Sequence, residues 1–285
     1  MFTCKEYRKV ETLEEAWKLN QKRSNLLIGG MLWVKMGHRN VQTVIDLSKL
    51  GLDTIEETEE EFQIGCMATL RQMEEHEGLN RYSGGAIRES LRHIVGVQFR
   101  NVATVGGSVF GRFGFSDVLT MLLAMDSFVE LYKGGVIPMR EFVNRGRDRD
   151  ILVRVIIRKT PGVFAYQSAR NARTDFPTLA VAVSSIENIW YISVGARPGR
   201  AMLLTVQESG LQELPGERQK DAQKTLSGEP KDTQEAFAAA LGEYAAGKIP
   251  VGSNMRGSAA YRSQLVKVLV KRACLEIDCN QQMRE

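Results

Sequence analysis

Two pairs of adjacent glycines set the tightest limits on how this chain can fold. The first closes a short apolar run, Leu26-Leu27-Ile28-Gly29-Gly30, and leads into Met31 and Leu32. The second lies in Asn101-Val102-Ala103-Thr104-Val105-Gly106-Gly107-Ser108. An apolar run that stops at two glycines reads as a buried strand ending in a tight turn. Such a turn has no Cβ to block approach, and its successive N–H dipoles can converge on a phosphate oxygen. A single Gly-Gly of this kind is more often just a turn. Two of them, each beside apolar secondary structure, favour a dinucleotide diphosphate. Thr104 and Ser108 add hydroxyls to the second bend. Asp117, at the start of an apolar helix, adds a carboxylate suited to ribose or ribityl hydroxyls. Each also has a plainer reading: ordinary turn chemistry for Thr104 and Ser108, and favourable helix N-terminal charge for Asp117.

The segments around these bends predict a mixture of helices and strands. Thr12-Leu13-Glu14-Glu15 has the form of a capping box before a short helix ending near Asn20. Strands are expected at Asn25–Ile28, Val41–Leu47, Glu61–Cys66, Phe128–Tyr132 and Leu152–Ile157. Thr69 is expected to cap a helix to about Glu77, and Ser83–Ile94 reads as another, with Ile87, Leu91 and Ile94 on one face. Gln98–Phe115 is polar and studded with glycine, and Ser116 caps the apolar helix beyond it. After Pro161, four short strands (Phe164–Ala169, Leu179–Ser184, Trp190–Val194 and Met202–Val206) suggest an antiparallel sheet. Glu208–Asp232 reads as a polar surface connection, followed by helices at Thr233–Ala246 and Ala259–Ile277. The fold class is therefore α+β, with one domain over 1–160 and a second over 161–285.

Composition removes several function classes. At 285 residues, 43% apolar and 25% charged, the chain is an ordinary globular one, long enough for more than one domain. Lys+Arg number 38 against 34 Asp+Glu, and the net +4 is not gathered into a basic stripe, so no nucleic acid partner is expected. The weak cluster of Arg140–Arg158 reads as a solvated loop and strand edge, with a contact surface for a partner subunit as the alternative. The longest apolar stretch, Val118–Met125, is far shorter than the roughly 20 residues of a membrane span. The opening MFTCKEYRK is charged at once and has no apolar signal region, so a cytoplasmic location is expected. Cys4, Cys66, Cys274 and Cys279 are scattered, and His38, His76 and His93 sit on unrelated segments, which argues against a metal site in this chain. No Ser-His-Asp, Cys-His or paired-carboxylate arrangement stands out, so no catalytic residue is assigned.

Taken in order, LLIGGMLWVKM, VIDLSKL, FQIGCMATLRQM, FRNVATVGGSVF and FSDVLTMLLAMDSFVEL resemble the FAD-binding medium subunit of molybdenum hydroxylases. This is the family of the xanthine dehydrogenase and carbon monoxide dehydrogenase flavoproteins. GSAAYRSQLVKVLVKRA resembles its closing helix, and the likeness runs from about residue 3 to 277. The resemblance implies a two-part, PCMH-type FAD-binding domain and a smaller C-terminal domain of antiparallel strands and helices. It implies that Leu26, Leu27, Ile28, Gly29, Gly30, Met31 and Leu32 form the first FAD strand and loop. Thr104, Gly106, Gly107 and Ser108 would form the second, Asp117 would meet the ribityl or ribose hydroxyls, and Ile94 would line the adenine or flavin pocket.

The chain departs from the family pattern at three points. Met31 and Leu32 stand where polar residues usually follow the glycines, which removes side-chain hydrogen bonds to phosphate and leaves the main-chain donors. Gly114-Phe115-Ser116-Asp117 and Ser108 replace a usual Ser-Pro before Ser-Asp and a usual Asn after Gly-Gly. Tyr166 occupies a position often held by Lys, and with Gln167 and Arg170 it is expected near the isoalloxazine edge. The implied function is an electron relay. A separate subunit holds [2Fe–2S] clusters, a large subunit holds the molybdenum cofactor, and FAD in this chain passes electrons to NAD+ or another acceptor. Two alternatives stay open: a flavin-depleted scaffold subunit of the same complex, and a stand-alone flavin reductase.

Overall fold

The computed structural model describes residues 1–146, 148–207 and 231–282. The expected polar connection Glu208–Asp232 thus falls almost wholly outside the described residues. The chain forms two compact units: Met1–Gly78, Val95–Arg112 and Asp126–Lys159 make the first, and Leu79–Ile94, Phe113–Met125 and Thr160 onward make the second. A single division at residue 160 differs from this in two segments, 79–94 and 113–125. The reason is burial. All seven residues of the helix Asp117–Leu123 are buried, and its neighbours are the helix Ala86–Leu91 and strands that come later in the sequence.

The first unit contains two sheets. Strands β1 (Thr3–Lys9), β2 (Leu26–Ile28) and β3 (Asn40–Asp46) form a parallel sheet in the order β1-β3-β2. A parallel pair needs a crossover, and the helix Leu13–Asn20 lies on the path from β1 to β2. Its start is fixed as expected, with the Thr12 hydroxyl accepting from the Glu15 N–H. β1 was not anticipated, because TCKEYRK has no apolar alternation and all seven of its residues are exposed. Strands β4 (Ile55–Glu57), β5 (Glu61–Gly65), β6 (Ser127–Leu131), β7 (Gly135–Pro138) and β8 (Leu152–Arg158) form an antiparallel sheet in the order β4-β5-β8-β6-β7. Thr69 caps the helix Leu70–Glu75 through a complete capping box with Gln72. The polar, glycine-studded stretch 98–115 takes part in the short helix Val97–Arg100 and contains the short helix Val105–Phe110.

A buried ion pair fixes one of these short helices. Arg100 donates through Nε to Glu74 Oε2 at 2.8 Å and through Nη2 to Oε1 at 3.2 Å. The two residues are only 4% and 5% exposed, and Arg71 adds a bond to the same carboxylate at 2.9 Å. Two guanidinium groups around one carboxylate outweigh the cost of burying it and hold Glu74 below the ordinary carboxylate range.

In the second unit, β9 (Gly162–Arg170), β10 (Pro177–Ile186), β11 (Ile189–Gly195) and β12 (Met202–Gln207) form the expected antiparallel sheet, in the order β12-β11-β10-β9. Val163, Ala165, Val181, Val183, Ile192 and Val194 alternate onto one face. There they meet Phe237, Leu241, Val266 and Val270 from the helices Lys231–Lys248 and Ala259–Gln282. On the opposite face β10 and β11 offer the small residues Ala180, Ala182, Ser184, Ser193 and Gly195, beside Phe164 and Tyr166 of β9. A Cβ at Gly195 would lie 2.0 Å from Thr120 Oγ1, so glycine lets the helix Asp117–Leu123 ride directly on the strand. The expected helix over 83–94 is shorter, Ala86–Leu91, because Gly84 and Gly85 take positive φ before it.

Replacing Glu74 by Ala removes the carboxylate that faces the buried Arg100 guanidinium, and should destabilise the protein by about 3 kcal/mol, read as a shift of the urea midpoint. Because the folded-state pKa of Glu74 is depressed, its contribution is complete above the unfolded value of about 4.3 and is lost as pH falls through the lower folded value. Melting temperature should therefore drop as pH is lowered below about 4, and Glu74→Gln should flatten that slope.

Candidate functional site

The first bend is built from the end of β2. Ile28 is buried with Val41 and Val44, and Phe2, Leu26 and Met31 pack on that cluster. Met31 has φ of 57°, an uncommon backbone state for a residue with a Cβ. Its side chain is thereby seated on the apolar cluster. Among the described residues, the main-chain N–H groups of Gly30, Met31 and Leu32 donate to no protein acceptor. All three residues are half-buried, so the amides border on solvent. Successive unengaged amides next to a left-handed residue form a concavity for an anion. A diphosphate fits this donor set, and nothing else in the bend competes for it.

The second bend is pressed against the first. A Cβ on Gly29 would meet Thr104 Oγ1 at 2.3 Å, and one on Gly30 would meet the Val102 carbonyl oxygen at 1.9 Å. The glycines at 29 and 30 are thus required for the approach of two main chains as well as for access to the amides. The second bend does not present free amides, however, and here the sequence expectation is corrected. The Gly106 N–H donates to the Cys66 carbonyl at 2.9 Å and the Ser108 N–H to the Thr104 carbonyl at 3.1 Å. The Gly107 N–H donates to Thr104 Oγ1 at 3.2 Å. Ser108 Oγ donates to the Thr104 carbonyl at 3.1 Å. TVGGS is a capped helix start, tied further by Val105 N–H to Ala68 and Leu70 N–H to Ala103. Its outward face consists of exposed Gly107 and half-buried Ser108. Beneath it Cys66 is buried, and burial pushes its thiol up to about 12, so it is inert as a nucleophile.

The stretch of chain that carries the first bend is basic, while across the sheet Asp46 stands opposite Ile28 with its carboxylate engaged by Tyr7 and Ser48. Between Glu15 and Asp46 the sequence contains no carboxylate but carries Lys18, Lys22, Arg23, Lys35 and Arg39. Such a stretch favours an anionic ligand over a cationic one.

Ile94, Asp117 and Tyr166 belong to the second unit. Ile94 is half-buried and ends the turn after Leu91. Asp117 and Tyr166 meet in a buried triad with Arg170. The Tyr166 hydroxyl and Arg170 Nη2 both donate to Asp117 Oδ1. Arg170 also donates to Ser168 Oγ at 3.2 Å and to the Asp175 carbonyl at 2.7 Å. Tyr166 is 1% exposed and Asp117 5%. Burial, reinforced by the Asp117 carboxylate, holds the Tyr166 hydroxyl well above its ordinary value. These two side chains are therefore buried and bonded to each other, whereas the resemblance implies that Asp117 meets ribityl or ribose hydroxyls and that Tyr166 lies near the isoalloxazine edge. Gln167 likewise donates to Glu276, at 2.6 Å.

The chain belongs to the family described as the FAD binding domain in molybdopterin dehydrogenase, which matches residues 2–159. Residues 216–277 match the CO dehydrogenase flavoprotein C-terminal domain. It is thus a member of the oxidoreductase family whose FAD subunits the residue series resembles. The chain is 23% identical over 275 residues to the "Uncharacterized protein YgfM" of Escherichia coli strain K12, with 95% of each covered. Its fold is similar to that of quinoline 2-oxidoreductase from Pseudomonas putida 86, at TM-score 0.77 and 18% identity over 97% of each chain. Carbon monoxide dehydrogenase from Hydrogenophaga pseudoflava gives TM-score 0.76 at 18% identity, covering 96% of this chain and 97% of that one. The reconstituted CO dehydrogenase of Oligotropha carboxidovorans gives 0.77 at 19%, covering 96% and 98%.

The contact between the bends is open to a double-mutant cycle. Gly29→Ala should destabilise the protein, and Thr104→Ala should recover part of the loss by clearing Thr104 Oγ1 and its methyl group. The coupling should reach about 1 kcal/mol in denaturant melts. Gly30→Ala meets main-chain oxygen, which no side-chain truncation removes, so the Thr104→Ala background should leave its cost unchanged.

Proposed function

We propose that this chain is the FAD-binding electron-transfer subunit of a heteromeric molybdenum hydroxylase, working with an iron–sulfur subunit and a molybdenum-cofactor subunit. The observation that carries the proposal is the set of unengaged amides at Gly30, Met31 and Leu32. In this reading the diphosphate of FAD takes those amides. Gly107 and Ser108 form the adjoining contact, and the residues of β2 fix the strand from which the bend springs. Bound there, the flavin supplies the redox chemistry, and the protein binds, orients and tunes it. Thr104, with its hydroxyl committed to the Gly107 N–H, sets the geometry of the second bend and supports the first. Asp117 and Tyr166 act as positioning residues of the second unit, through their bond to each other and to Arg170. The flavin-depleted alternative rested on Met31 and Leu32. Met31 packs its side chain on the Ile28 cluster, so in this reading only the main-chain donors of the bend meet the diphosphate.

The purified full chain, or the chain incubated with FAD and desalted, should show flavin absorbance at about one flavin per chain. Gly30→Ala should lose it. Tyr166→Phe should keep the flavin while lowering stability by about 1 kcal/mol, the net value of one hydrogen bond. A folded wild-type chain that takes up no flavin would overturn the reading in favour of a scaffold.

A further inference from the structure

An aromatic side chain stands immediately beyond the last unengaged amide. Trp33 is 48% exposed. An indole of this size is usually covered or engaged at a site when it is found at a surface. It is also held in place. Its ring meets Phe99 edge-on, with centroids 5.8 Å apart and planes 61° apart. Phe99 lies on the helix Val97–Arg100, which the Arg100–Glu74 ion pair anchors. Val102, whose carbonyl abuts Gly30, is 46% exposed. A supported, half-exposed aromatic thus follows directly on three amides suited to a diphosphate.

We infer that Trp33 stacks on a planar ring of the dinucleotide whose diphosphate rests on Gly30, Met31 and Leu32. This inference rests on the diphosphate reading given above. Its chemistry is simple. A dinucleotide carries a flat π system on each side of its diphosphate, and consecutive Cα atoms are only about 3.8 Å apart. A side chain next to the amide cradle is therefore within reach of a ring attached to the phosphates. Stacking covers apolar surface that Trp33 now shows to water, and it is tolerant of which heterocycle is offered. The apolar residues after the glycines are then part of the site: ring contact replaces the polar side-chain contacts that Met31 and Leu32 cannot make. Lys35, two residues on, adds a charge of the right sign.

The test uses the full chain freed of flavin, titrated separately with inorganic pyrophosphate, ADP, FMN and FAD. Tryptophan emission is the readout, and Trp33→Phe isolates the Trp33 share from Trp17 and Trp190. FAD should quench the Trp33 emission. Trp33→Ala should weaken FAD by about tenfold, which corresponds to roughly 1.4 kcal/mol. It should leave pyrophosphate affinity within about twofold, and Trp33→Phe should restore most of the loss. Quenching by ADP assigns the stacked ring to adenine, and quenching by FMN assigns it to the isoalloxazine. If Trp33→Ala binds FAD as the wild type does while pyrophosphate still binds, the stacking inference is wrong and the amide cradle stands. If wild-type chain binds neither FAD nor pyrophosphate, the cradle itself is wrong and the inference falls with it.

Discussion

The first unit depends on one close approach, that of Gly30 to the carbonyl oxygen of Val102. A Cβ there would lie at 1.9 Å, well inside any tolerable contact, and the opposing atom is main chain and cannot rotate away. The two bends can therefore be neighbours only if this position is glycine. The same lack of a side chain leaves the amides beyond it open to a ligand. One residue type thus satisfies a packing demand and a binding demand at the same place. Support comes from further along the chain. The Val102 segment is carried by the helix Val97–Arg100, and that helix is locked by Arg100 onto Glu74.

The two bends look alike in sequence but differ in what they can offer. Amides that are buried must be paired, and Gly106 is buried, so its N–H is taken by the Cys66 carbonyl. Amides at a half-exposed turn can stay hydrated, and an anion can then replace the water at small cost. The first bend is therefore the donor and the second its abutment. A support whose own hydrogen bonds are complete does not reorganise when a ligand arrives, which favours a cradle fixed before binding.

Local signals were legible and long-range ones were not. Thr12, Thr69 and Ser116 each cap the helix expected of them, because a cap is decided within four residues. The four strands of the second unit follow from alternation and turn residues alone. By contrast β1 is polar along its whole length, and only its pairing with β3 makes it a strand. The Glu74–Arg100 pair joins residues 26 apart, and neither residue carries a local mark of burial. Trp33 was hidden differently: a tryptophan after an apolar turn reads as core, and only its exposure separates it from core. The placement of 79–94 and 113–125 in the second unit was beyond local reading for the same reason as the ion pair.

The buried triad of the second unit shows why a departure from the family pattern can be coherent. Asp117 is a carboxylate with little water around it, and Arg170 supplies one cation to balance it. A lysine at position 166 would bring a second cation to a buried carboxylate that Arg170 already pairs, with Glu89 as a further carboxylate within electrostatic reach. Tyrosine supplies the remaining hydrogen bond with no charge, and its hydroxyl is held firmly protonated by burial and by Asp117. Tyr166 and Arg170 are thus one solution to the neutralisation of Asp117, and either can be understood only with the other.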